Sequence, residues 1–137
     1  MDPLSLNIEK ETIDNTYYRR VLHTTPYNQV VLMSIPVGSL IPEEKHEHIT
    51  QFIRIEKGKG RALIAGKNYN LEDGIALNIP PNTFHKIVNT GDVPLQLYSI
   101  YSPPEHPDKL IQKLPDHKIK LTPKEINFLI FYQNHVF

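Results

Sequence analysis

Between Gly38 and Asn89, the residue types able to bind a metal or move a proton fall at regular separations. Gly38 is followed after five residues by Glu44, after one more by His46, after four by Gln51 and after six by Gly58. Fifteen residues later Gly74 opens a second pattern, with five residues to Pro80, one to Asn82, two to His85 and three to Asn89. Side chains two apart on a strand share a face, so a strand through Glu44 and His46 would point both into one cavity. Gln51 has the opposite parity and needs a turn or bulge between 47 and 50 to join them. His85 arrives from a segment distant in sequence. His48 competes with Glu44, because His46 and His48 form a literal His-x-His pair, and the charged stretch Pro42–His48 taken alone reads as a solvated loop.

The two patterns resemble the two sequence motifs of the cupin family, and every spacing fits. Three residue types depart from it: Glu44 stands where a histidine is usual, Gln51 where a glutamate is usual and Asn82 where a glycine is usual. Asn82 is a mild change, since asparagine tolerates a left-handed turn conformation well. The resemblance implies a metal held by Glu44, His46, Gln51 and His85. Placing His48 in the role of Glu44 would break two spacings at once. Three further segments, Tyr18–Leu22, Gln51–Glu56 and Leu97–Pro104, look like small single-domain cupins labelled as similar to mannose-6-phosphate isomerase. That label marks a likeness of fold and does not establish a reaction.

Two imidazoles, a carboxylate and an amide oxygen form a mixed nitrogen and oxygen donor set suited to one divalent Mn, Fe, Co, Ni, Cu or Zn ion. Without Gln51, which as a neutral amide is the weaker ligand and can serve instead as a hydrogen-bonding neighbour, the set is two histidines and one carboxylate. That is the pattern of non-haem Fe(II) oxygenases. Four protein ligands leave open positions on an octahedral ion, where a substrate carbonyl or hydroxyl could be polarised, or water or O2 activated. The expected partner is therefore a small molecule. Its chemistry is sugar or sugar-phosphate isomerisation or oxygen-dependent oxidation, with a non-catalytic binding or sensing module as the alternative. Tyr98, Tyr101 and His106 stand near enough in order to reach a cavity mouth, although a tyrosine on a late strand is more often packed with its hydroxyl satisfied locally.

The elements that must position these residues are short. Twelve prolines among 137 residues are about twice the usual frequency of about 5% and leave little room for long helices. Runs rich in Ile, Val, Leu, Tyr and Phe predict strands over 16–23, 27–35, 48–56, 60–65, 75–79, 84–90 and 93–101. Turn signals such as Gly58-Lys59-Gly60, Gly66-Lys67-Asn68, Asp73-Gly74 and Pro80-Pro81-Asn82 separate them. This pattern predicts an all-β barrel or sandwich, and the resemblance narrows it to the cupin double-stranded β-helix of jelly-roll type. Ile53, Ile55, Ala62, Ile64, Ile87 and Leu97 are its candidate core, while Arg54 has the parity of an outward residue.

The barrel domain is expected over residues 1–115, with 103–121 an irregular connection and 116–137 an extension. Thr122-Pro123-Lys124-Glu125 is a capping box with proline at the first helical position, predicting a short C-terminal helix over 123–134. That helix would be apolar around most of its circumference. Cupin barrels often pair through their sheets, so the resemblance implies a homodimer as its cover.

Composition closes off other classes. With no cysteine there is no disulfide framework, thiolate zinc site, iron–sulfur cluster or cysteine nucleophile. Fifteen Lys and Arg balance fifteen Asp and Glu, so no basic footprint suggests nucleic acid or an acidic membrane surface. The N-terminal residues lack the basic and apolar regions of a secretory signal, and a cytoplasmic protein is the simplest expectation.

Overall fold

The structure, a computed structural model, describes residues 1–115. Among these residues one helix, α1 (Ile8–Asp14), precedes ten strands: β1 (Arg19–Thr24), β2 (Gln29–Ile35), β3 (Leu40–Glu44), β4 (Thr50–Lys57), β5 (Gly60–Ile64), β6 (Lys67–Leu71), β7 (Ala76–Ile79), β8 (His85–Asn89), β9 (Leu95–Ser102) and β10 (Ile111–Gln112). They form a six-stranded sheet in the order β10-β1-β2-β9-β4-β7 and a four-stranded sheet in the order β3-β8-β5-β6. All pairings are antiparallel. This is the expected all-β jelly-roll barrel. The helix predicted over 123–134, and the dimer argued from it, lie outside the described residues.

Cross-strand registers show how the alternating sequence builds an interior. Three rows of the large sheet face inward: Met33–Leu97–Ile55, then Val31–Ser99–Ile53–Leu77, then Gln29–Tyr101–Gln51–Ile79. Every residue in them is buried, and from the first row to the third the side chains become more polar. The intervening residues face outward. Arg54 is among them, as its parity requires, and its Nε lies 2.9 Å from the Glu56 carboxylate. From the four-stranded sheet Ile41, Ala62, Leu71 and Ile87 close the core, and Ile64 packs against it partly buried. The Tyr18 hydroxyl, donating to the Leu40 carbonyl at 3.0 Å, ties the start of the first sheet to the second.

Glycine is required where the sheets approach closely. Gly58 has φ +93°, and a Cβ there would stand 2.6 Å from the Pro94 carbonyl oxygen. Asn82 does adopt a left-handed conformation, with φ 61°. Its amide N–H donates to the His46 carbonyl at 2.7 Å and binds the second motif to the first.

Four elements differ from the sequence reading. Helix α1 has a sequence signal in Asn7, whose side chain accepts from the Lys10 amide, and in Glu9 and Glu11 of its first turn. It packs on the outer face of the large sheet, where the Gln96 amide donates to the Ile13 and Asn15 carbonyls. Strand β6 is a polar edge strand and so carries no apolar alternation; its hairpin closes at Ala65-Gly66, both with positive φ, one step before the predicted turn. The segment read as irregular connection holds the two-residue β10. Strand β3 is hidden by a bulge that also places the site. Among the described residues, no helix is long and apolar enough to cross a membrane.

Candidate metal centre

On β3, Leu40 opposes Val88 and Ile41 opposes Ile87, but the next opposed pair is Glu44 and His85. One extra residue therefore sits on β3 between Ile41 and Glu44. Regular alternation from the inward Ile41 would turn Glu44 outward; the bulge reverses the parity and faces it across the ladder to His85. His46 follows just past the strand end. The chain then turns at Glu47–His48 and enters β4, so Gln51 returns to the interior, as its parity demanded. His48 is exposed on that turn and stands apart from the group.

Three ligand-type side chains converge. Atoms of Glu44, His46 and His85 lie within 4.8 Å of one another. The Nε2 atoms of His46 and His85 each stand 3.3 Å from the same oxygen, Glu44 Oε1. Two atoms each about 2.1 Å from one ion, at an angle of about 90–109°, would stand about 3.0–3.4 Å apart. The spacing therefore suits shared coordination.

The tautomers agree. His85 Nδ1 lies 3.0 Å from the Thr83 carbonyl, which can only accept, so Nδ1 carries a proton, and Nε2, which donates to Glu44 when protonated, is the nitrogen that would offer its lone pair to an ion. His46 Nδ1 faces the Glu105 carboxylate at 3.5 Å, which orients that ring the same way. His46 Nε2 is buried with no hydrogen-bond partner among the described residues.

Gln51 presents the same signature. Its Nε2 donates to Ser99 Oγ at 3.2 Å and to the Tyr101 hydroxyl at 3.1 Å. Its Oε1 is buried and has no partner among the described residues. A buried polar atom without a partner costs about 1–3 kcal/mol. Two such acceptor atoms at one end of the barrel fit a cation that takes them up.

The charges are coupled. Burial alone would raise the Glu44 carboxyl, but the hydrogen bond with His85 and the charges of His46, His85 and Arg19 outweigh it and hold the group below its ordinary value. Burial pulls His85 down, yet Glu44 and the Thr83 carbonyl hold it above its ordinary value. Burial pushes the Tyr101 phenol far up, so it remains a neutral hydroxyl.

Other participants carried little signal in the sequence. Tyr101 is buried with its hydroxyl satisfied locally, and it also lines the site, its ring edge-on to His46 at 5.9 Å. Arg19 opposes Met33 across the ladder and so shares the inward face. Glu105 and Gln29 are not set apart by spacing, and no local pattern links them to a centre formed by residues so far away in the chain.

The comparisons with known proteins agree with this geometry. The model of the cupin domain matches residues 31–101. The chain is 40% identical over 111 residues to YrkC of Bacillus subtilis (strain 168), covering 77% of this chain and 60% of that protein. It is 45% identical over 107 residues to L612 of Acanthamoeba polyphaga mimivirus, covering 74% of this chain and 66% of that one. The chain thus spans less than two thirds of the length of both relatives. The crystal structure of BH2720 from Bacillus halodurans superposes with a TM-score of 0.81 at 41% identity, over 82% of this chain and 90% of that one. With both motifs at their spacings, a jelly-roll barrel around them and a cluster of two histidines and a glutamate inside it, the chain belongs to the cupin family.

Proposed function

We propose that this cupin holds one divalent transition metal through Glu44, His46, Gln51 and His85, and uses it on a small molecule entering at the polar end of the barrel. The observation that carries this reading is the pair of imidazole Nε2 atoms, both 3.3 Å from one Glu44 oxygen while the ring Nδ1 atoms are engaged by Thr83 and Glu105. A bound divalent ion would act as a Lewis acid toward a carbonyl or hydroxyl, or as Fe(II) would bring O2 into reaction. The chain's own residues supply the rest: Thr83 and Glu105 orient the imidazoles, Ser99 and Tyr101 hold the Gln51 amide, and the apolar rows beneath exclude water.

Two histidines with one carboxylate favour oxygen-dependent oxidation, with sugar or sugar-phosphate isomerisation as the competing chemistry. The neutral Gln51, standing where the family usually has glutamate, favours the second reading, a binding or sensing module that kept the barrel without the reaction. Metal analysis of protein purified without a histidine tag tests the proposal. One equivalent of metal in the wild type and none in His85→Ala is the expected result, and iron would favour oxidation. Equal metal affinity in the two proteins would overturn the assignment of the site.

A further inference from the structure

One side of the centre is built by a segment that lies outside both motifs. After β9 the chain leaves the sheet, but Gln29 catches it. Gln29 is fully buried, in the same inward row as Tyr101 and Gln51. Its Oε1 accepts from the amide N–H groups of Glu105 and His106, at 3.2 and 2.9 Å. Its Nε2 donates to the His106 carbonyl at 2.7 Å and to Thr24 Oγ1 at 3.0 Å. Both lone pairs and both protons of the amide are used, so the segment is held in one place.

Two side chains are positioned by that latch. The Glu105 carboxylate faces His46 Nδ1, and the His106 ring stands edge-on to Tyr101 at 5.1 Å, on a ring whose other neighbour is His46. His106 Nε2 is buried with no hydrogen-bond partner among the described residues, as are His46 Nε2 and Gln51 Oε1. A metal accounts for the last two atoms. It does not account for His106, which stands outside the group of mutually close ligand atoms formed by Glu44, His46 and His85. Burial and the Arg19 charge also hold this imidazole neutral, down to about 4.

We propose that His106 contacts the small molecule, donating from Nε2–H to an oxygen of a carboxylate-type anion beside the metal, and that Gln29 is the residue that positions it. Arg19 lies on the same inward face, and its positive charge is felt at Glu44, Tyr101 and His106. The inference rests on the metal reading and adds the class of ligand to it.

Cobalt-loaded full-length protein tests it, with azide and acetate as probes followed by the visible absorption of the metal. His106→Ala is expected to keep cobalt affinity within about threefold of wild type and to lose about tenfold in affinity for both anions, the effect of one missing hydrogen bond to a bound anion. His106→Gln, which retains a donor, should recover part of that loss, and Gln29→Ala should reproduce the anion loss on the cobalt-loaded protein, together with the weaker cobalt binding that freeing Glu105 brings. Unchanged anion affinity in folded His106→Ala overturns the proposal by itself. A parallel loss of cobalt affinity overturns it by making His106 a metal ligand. A wild type that binds no cobalt, measured before any anion is added, overturns the metal reading and this inference together.

Discussion

The two ends of the barrel are made by the same strands and do opposite work. At one end β2, β9 and β4 contribute Met33, Leu97 and Ile55 to a row without a polar atom in its side chains beyond the Met33 sulfur. Two rows on, the same strands contribute Gln29, Tyr101 and Gln51, each buried and each engaged in hydrogen bonds. Burial is equal and its physical content differs. The apolar row stabilises the fold through area removed from water, about 25 cal/mol per Å². The polar row gains little net stability, because each hydrogen bond replaces one to water. What it provides is orientation. A barrel anchored at one end can thus hold unpartnered acceptor atoms at the other without losing its fold.

The contrast is sharpest where a core side chain is removed. Leu97→Ala is expected to destabilise by about 2–5 kcal/mol, read as a lower urea midpoint with an unchanged slope, while metal stoichiometry of the folded fraction stays the same. Ser99→Ala, one row nearer the site, should cost only about 1 kcal/mol. The reverse dissociation comes next. His85→Ala should lower metal affinity by more than the about 10–100-fold that loss of a supporting partner costs, with the far-ultraviolet circular dichroism of a folded barrel retained. If that variant unfolds, the two ends are not independent and the ion is structural.

Smaller effects probe how the polar end is arranged. Glu105→Ala should weaken metal binding by about tenfold, at the low end for an orienting carboxylate, because this one is 31% exposed. A last effect is in pH dependence. The unfolded chain protonates His106 near its ordinary 6.5, while the folded ring refuses the proton down to about 4. The unfolded state therefore binds more protons in that window, and stability falls as pH drops through it. Urea midpoints of metal-free protein at pH 7 and pH 5 should lie closer together in His106→Gln than in wild type.

How far the sequence leads depends on how local each determinant is. Glu44, His46, Gln51 and His85 are legible as candidates because each motif is a fixed count along one segment that resembles the family's, and the turn before Gln51 follows from parity once that resemblance sets Gln51 inward. Strand β3 is not, since the bulge between Ile41 and Glu44 erases the alternation by which strands are recognised. Strand β6 escapes for the opposite reason, being a polar edge that sends only its last residue, Leu71, into the core.

By itself the sequence determined the all-β class, the core residues Ile53, Ile55, Ile87 and Leu97, and a candidate ligand set, because alternation and spacing are properties of neighbouring residues. Only the tertiary structure decided that Glu44 rather than His48 faces His85, that Tyr101 lines the site, and that Gln29 brings Glu105 and His106 to it. The Gln29–His106 contact joins residues 77 positions apart. Such a contact exists only once β2 and β9 are paired and the chain leaving β9 passes back over Gln29, so no pattern along the chain could carry it.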